Sequence, residues 1–154
     1  MLKLCLSTLV ACVALGLASP VAAAVHKVDN LNDLQRLCAE DANPGDVIEI
    51  QPGTYYLETS RISVTRSGEP GRPVIIRGIV VNGKPPVIDA SRTNVKRGVF
   101  RTEEPTHDIV FEDLEICNAW GSRFRDRETY GVNAGAIYFQ GKNLTARRVH
   151  AHHN

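Results

Sequence analysis

The chain has 154 residues, 43% of them hydrophobic, with 18 basic and 17 acidic side chains. That is one domain's worth of sequence with enough apolar residues for a core. A net charge of +1 gives no whole-protein case for nucleic acid or an anionic membrane as partner.

The opening stretch, MLKLCLSTLVACVALGLASPVAAA, carries one Lys, an apolar run and a small-residue end at Ala22, Ala23 and Ala24. This pattern predicts a signal peptide over residues 1–24, cut near Ala24, and hence a secreted or periplasmic product of bacterial style. Ser7, Thr8, Ser19 and Pro20 interrupt a run that would need ~20 clean apolar residues to span a bilayer, so no stable membrane insertion is expected after cleavage. LVAC at 9–12 resembles a lipobox, but it lies very early and the apolar run continues past it. Lys3 is the only charge in this segment, which leaves 17 basic against 17 acidic residues. Cys38 and Cys117 remain. An oxidising compartment permits a disulfide, but each replaces an apolar residue in its own pattern, which favours two buried thiols.

NLNDLQRLCAEDANPGD predicts a helix at about 30–42. Asn30 can cap it, with Asp33 three residues on, and Leu31, Leu34, Leu37 and Cys38 form one stripe. Pro44-Gly45 ends it. Such a helix needs a flat apolar surface to cover. After it the pattern changes to short β-runs separated by Gly, Pro and Asn: DVIEI, TYYL, RISV, PVIIRG, PVIDA, GVFRT, DIVFEDLEIC, GAIYFQ and NLTARRVHA. That is an all-β signature. Asn82-Gly83 in VVNGKPPVI suits a hairpin, so local patterns alone leave a β-sandwich open.

An internal repeat points elsewhere. Residues 107–119 (HDIVFEDLEICNA) align with 142–154 (KNLTARRVHAHHN) at a constant offset of 35, setting Ile109 over Leu144, Leu114 over Val149 and Ile116 over Ala151. Gly98 of GVFR matches Gly135 of GAIY with a two-residue slip. A repeat made only of short strands predicts a solenoid of stacked units. WGSRFRDRETYGVN interrupts the repeat and is expected to loop out.

From about Val28 onward the chain resembles the start of a right-handed parallel β-helix of the pectate-lyase-like superfamily. The most specific stretch is NLNDLQRLCAEDANPGDVIEIQPGTYYL, and GEPGRPVIIRG and VIDAS continue its style. The resemblance implies an α-helix capping the first turn of the coil and makes 25–154 the N-terminal part of a parallel β-helix domain. Only about three to four turns are counted, so the coil is expected to be truncated, with further turns beyond residue 154. The fold hosts lyases, hydrolases, epimerases and non-catalytic surface proteins, so it says little about function.

Strand alternation in RRVHAHHN sets Val149 and Ala151 inward and Arg148, His150 and His152 outward. One turn earlier Asp113, Glu115 and Cys117 form the outward row. Adjacent turns lie ~4.8 Å apart, so Asp113 is expected beside Arg148 and Glu115 beside His150. His150 and His152 start ~7 Å apart on one strand face, which favours a row over a metal cage. A part in substrate binding and a transition-metal site stay as the alternatives.

The resemblance implies an acidic, uronate-containing polysaccharide as partner and calcium-assisted β-elimination as the reaction. Removing a carbon proton beside a carboxylate builds negative charge, which calls for cationic stabilisation and a base. Arg148 and His150 are the catalytic candidates, with Arg147 a further carboxylate clamp. Asp113 and Glu115 offer half of a Ca2+ site, or are merely solvated. In the insertion, Trp120 and Tyr130 suit stacking on sugar faces, while Arg123, Arg125 and Arg127 suit uronate oxygens. His152 joins them as a binding candidate. Asn143-Leu144-Thr145 fits a glycosylation acceptor, but Leu144 is expected to point inward. The alternative to a lyase is a non-catalytic carbohydrate-binding or cell-surface β-helix.

Overall fold

A computed structural model describes residues 22–119 and 135–154. The described chain is mostly strand, and every pairing between its strands is parallel. Strand β1 (Val25–Val28) is followed by helix α1 (Leu31–Arg36), which continues as a wider π-type turn over Leu37–Asp41. Nine further strands follow: β2 (Val47–Ile50), β3 (Thr54–Tyr56), β4 (Ile62–Val64), β5 (Val74–Gly78), β6 (Val87–Asp89), β7 (Phe100–Thr102), β8 (His107–Cys117), β9 (Ile137–Tyr138) and β10 (Lys142–His152).

The pairing order makes these strands successive turns of one winding chain. β2, β5 and the first half of β8 stack in that order, with β10 beside β8. β3, β6 and the second half of β8 stack likewise. β4, β7 and β9 form a third stack. Each turn therefore contributes one segment to each of three faces, which is consistent with a parallel β-helix. A sandwich is excluded for the described residues. The Asn82-Gly83 turn does form, with both residues at positive φ, but it closes only the isolated bridge between Val81 and Lys84. It is a local loop between two parallel strands.

The offset-35 alignment holds residue for residue, with Leu144 beside Ile109, Val149 beside Leu114 and Ala151 beside Ile116. The two-residue slip also holds, with Phe100 beside Ile137. β8 is not a straight strand. Asp108, Asp113 and Asn118 take left-handed φ angles of 55°, 57° and 57°, and Asn143, Arg148 and His153 repeat this at 53°, 52° and 55° one turn later. Asp and Asn tolerate this conformation better than most residues. The backbone thus turns a corner every five residues, in phase on adjacent turns, and this swings β8 from one face to the next.

Inside, like residues stack on like. Ile48, Ile76 and Phe111 form one column, and Ile88 and Ile116 another, all fully buried. Phe111 meets Phe100 from the third face at a ring distance of 5.2 Å. Each such side chain contributes ~1.5–3 kcal/mol by leaving water.

The helix covers the first turn as expected. Leu34, Leu37 and Cys38 are buried and Leu31 packs against the core. Asn30 caps the helix, its Oδ1 accepting from the Asp33 backbone N–H at 2.9 Å. Replacing Asn30 with alanine is expected to lower stability by ~1 kcal/mol in urea unfolding. Gln35 does something a stripe analysis does not reveal. Its amide accepts from Ser63 N–H at 3.0 Å and donates to Ser63 C=O at 3.2 Å. The side chain thereby satisfies the outer edge of β4 as a strand would.

β1 was absent from the expected runs, because VHKV is short and adjoins the predicted leader. Ala24, where that leader is expected to end, is already built into this turn. Its N–H donates to buried Asp46 at 2.8 Å, and its C=O accepts from Val47. Cys38 and Cys117 are both free and buried. Burial pushes the Cys38 thiol up to about 12. Burial, then Asp89 and Glu115, push Cys117 up as well. Neither is a thiolate nucleophile at neutral pH. Among the described residues no helix is long and apolar enough to cross a membrane.

Candidate functional site

The outward surfaces of two faces carry the chemistry. On the first, register alone sets Lys27, Glu49, Arg77, Glu112 and Arg147 in one line across five strands. Charge alternates along the whole line. Arg77 Nε donates to Glu112 Oε1 at 2.6 Å, Arg147 Nε donates to Glu112 Oε2, and Arg77 reaches Glu49 at 3.9 Å. Glu112 is only 2% exposed. Burial raises its pKa, but the hydrogen bonds from Arg77 and Arg147 outweigh it, and the net shift is downward. Strict alternation from Asp113 would give Glu112 the opposite, inward face. The left-handed corner at Asp113 resets the alternation and turns Glu112 outward beneath two guanidinium groups.

Asp113 and Arg148 meet as expected. Arg148 donates from Nε to Oδ1 at 2.5 Å and from Nη2 to Oδ2 at 2.8 Å. This fork lowers the Asp113 pKa and raises that of Arg148, which works against Arg148 as a base.

On the second face two columns run up the coil. Thr54, Val87, Glu115 and His150 form one, and Tyr56, Asp89, Cys117 and His152 the other. Glu115 is the register partner of His150, yet its carboxylate hydrogen-bonds to His152 Nε2 at 3.0 Å. The His150 and His152 rings lie 4.9 Å apart between centroids. The two imidazoles lean together, and the neighbouring turn supplies a carboxylate between them. The sequence expectation of a spread row described the Cα spacing, and the side chains close that gap.

A groove of about 550 Å³ runs along this face, lined by Pro52, Thr54, Lys84, Pro85, Val87 and Glu115. Beside it Tyr56 is 41% exposed, with the Arg92 guanidinium 3.7 Å above its ring. Lys84, Tyr56 and Arg92 were missed in the sequence. Only the lateral stacking of turns shows that they share a surface with Glu115. Trp120, Arg123, Arg125, Arg127 and Tyr130 lie outside the described residues.

The fit of calcium is tested by the free oxygens. Calcium takes six to eight. Both oxygens of Asp113 are held by Arg148, and one of Glu115 faces His152. The Asp113–Glu115 pair does not by itself fit that ion.

The chain is 30% identical over 102 residues to the protein named Pectate lyase PEL9 of Emericella nidulans. The match covers 59% of this chain but 24% of that protein, so the chain spans about a quarter of the relative's length. No family model matches the chain, and no solved structure gives a significant match.

Proposed function

We propose that the stacked turns form part of a right-handed parallel β-helix of the pectate-lyase-like superfamily. In this reading residues 1–24 are an export signal and 25–154 belong to the coil. The protein is secreted or periplasmic and acts on acidic, uronate-containing polysaccharide by β-elimination. The observation that carries the reading is the 102-residue similarity to a pectate lyase, lying on a coil of parallel turns with an open groove on one outer face.

The described residues supply binding better than proton transfer. Lys84 lines the groove, and Arg147 and Arg148, 53% and 59% exposed, offer guanidinium groups on the adjoining face. Such groups pair with sugar carboxylates as bidentate donors. Asp113 holds Arg148 in place, so Arg148 acts as a carboxylate clamp. His150, exposed and within reach of water, is the better candidate for a proton acceptor. Calcium assistance belongs to the lyase reading, but the Asp113–Glu115 pair does not fit the ion.

One observation favours the second reading, a carbohydrate-binding β-helix without catalysis. Among the described residues, the cation named as a catalytic candidate, Arg148, is held in its charged form by Asp113.

The test is incubation of the full chain with polygalacturonate, alginate and a glycosaminoglycan, each with and without calcium. The lyase reading expects ultraviolet absorbance to rise as an unsaturated uronide forms. Retention on an immobilised polymer without that rise selects the binding reading, and neither signal on any of the three rejects both.

A further inference from the structure

The geometry points to a divalent transition-metal site, built from Glu115, His150 and His152, that takes zinc-class cations. One ligand-type atom from each of the three lies within 4.8 Å of the others. They come from two turns of the coil, so the stacking register, and no local motif, creates the cluster. The inference does not depend on the proposed polysaccharide activity, but it uses the same His150, and an imidazole bound to a cation cannot at the same time serve there as proton acceptor.

The chemistry of the ligand set suits zinc. Two imidazoles and one carboxylate are the ligand set of an open zinc site, which keeps a further position for water or an anionic ligand. Hard, all-oxygen cations are poorly served by it. Zinc bonds of ~2.0–2.2 Å would bring the ligand atoms to about 3.4 Å apart. Glu115 and His152 are already at 3.0 Å, so the adjustment falls on His150, which is exposed and can rotate.

Two further observations single out this group from an ordinary cross-turn pair. Among the described residues, His150 makes no hydrogen bond, although its ring lies against that of His152. A register-fixing pair needs only Glu115 and His152, and leaves His150 without a role. Second, His152 is held from behind. Without a cation, neutral His152 carries its proton on Nε2 toward Glu115; with a cation on Nε2 that single proton sits on Nδ1 and donates to His153 Nδ1, 2.7 Å away. His153 thereby orients the ring, as outer hydrogen bonds do for metal-bound histidines. His153 is a positioning residue in this scheme.

The experiment is calorimetric titration of the untagged full chain with zinc chloride, with nickel as a second probe. One ion per chain is expected. Binding should weaken in acid, because the cation competes with protons for its ligands. His150→Ala and His152→Ala are each expected to weaken binding at least about tenfold, and Glu115→Gln similarly, since even outer-shell losses cost about 10–100-fold. His107→Ala, at a half-buried histidine outside the cluster, should leave affinity unchanged. Cobalt loaded in place of zinc should give visible bands that disappear in His150→Ala. The mutated side chains lie on the outer surface, so far-ultraviolet circular dichroism should match the parent chain. Binding unaffected by the His150 and His152 changes, or no binding at neutral pH, overturns the proposal.

Discussion

Gly78→Ala is expected to destabilise the protein by at least ~3 kcal/mol, at or beyond the upper end of overpacking costs. Gly78 ends β5 at the corner where the chain passes from the first face to the second. A methyl group there would lie 2.0 Å from the Asp113 backbone oxygen and 2.6 Å from Pro86 Cδ. The oxygen has little room to retreat. Asp113 sits in a left-handed corner with its side chain forked by Arg148, and the Pro86 carbonyl accepts from Glu115 N–H at 3.1 Å. Gly78 is not among the positive-φ glycines, so the cost is steric and not conformational. Gly135, with nothing within 4 Å of an added carbon, is the control, and its alanine variant should stay within ~0.5 kcal/mol of the parent. Urea unfolding of both variants checks this. Equal stabilities would mean that neighbouring turns do not approach so closely.

The second large effect concerns Glu112. Arg77→Met together with Arg147→Met removes its two closest cations and leaves a carboxylate that is 2% exposed with only Arg148 Nη2, at 3.4 Å, as a charged donor. Removing the partners of a buried charge costs ~3–5 kcal/mol. The converse change, Glu112→Met, should cost less, because Arg77 and Arg147 are 36% and 53% exposed and can turn to water. Changing all three to methionine should recover much of the loss, since apolar replacement of a buried ion pair is often neutral.

The pH dependence gives the sign. In the parent chain the folded-state pKa of Glu112 is depressed below its ordinary 4.5. Its contribution is therefore complete above that value and disappears as pH falls through the depressed one. In the Arg77/Arg147 double variant, burial is opposed only by the more distant Arg148, and the folded pKa rises relative to that of the parent. The penalty is then largest at neutral pH and shrinks in acid, where the group folds uncharged. Melting curves from pH 7 to pH 3 should thus converge. Parallel curves would mean that Glu112 is not titrating as a buried, paired group.

Much of the coil was legible because it depends on periodicity. The aliphatic runs fix the strands, and the constant offset between 107–119 and 142–154 fixes which residues stack. The Asp113–Arg148 contact followed directly. What alternation could not deliver was the corner. Asp108, Asp113 and Asn118 recur every five residues, and that spacing of Asp and Asn was a readable sign of left-handed bends. Read as candidate ligands, two acids at 113 and 115 suggested calcium. Read as a corner residue, the acid at 113 explains why that position is an aspartate and why Glu112 changes face. The closeness of the histidine rings was out of reach for another reason. Cα spacing along one strand says nothing about rings that lean toward each other over a carboxylate from the next turn. The groove residues Lys84 and Tyr56 come from loops and strands of different turns, and no linear motif joins them.

The Gln35 amide has a bearing on how the molecule avoids its own kind. Exposed parallel strands invite foreign strands to join by main-chain pairing, the route to fibrils and tangled dimers. At Ser63 both main-chain groups that would receive an intruder are already occupied by a side chain that cannot extend the ladder further. Self-association through that border must first lift the helix away, so the short amphipathic segment acts as a guard against polymerisation as well as a cover for apolar surface.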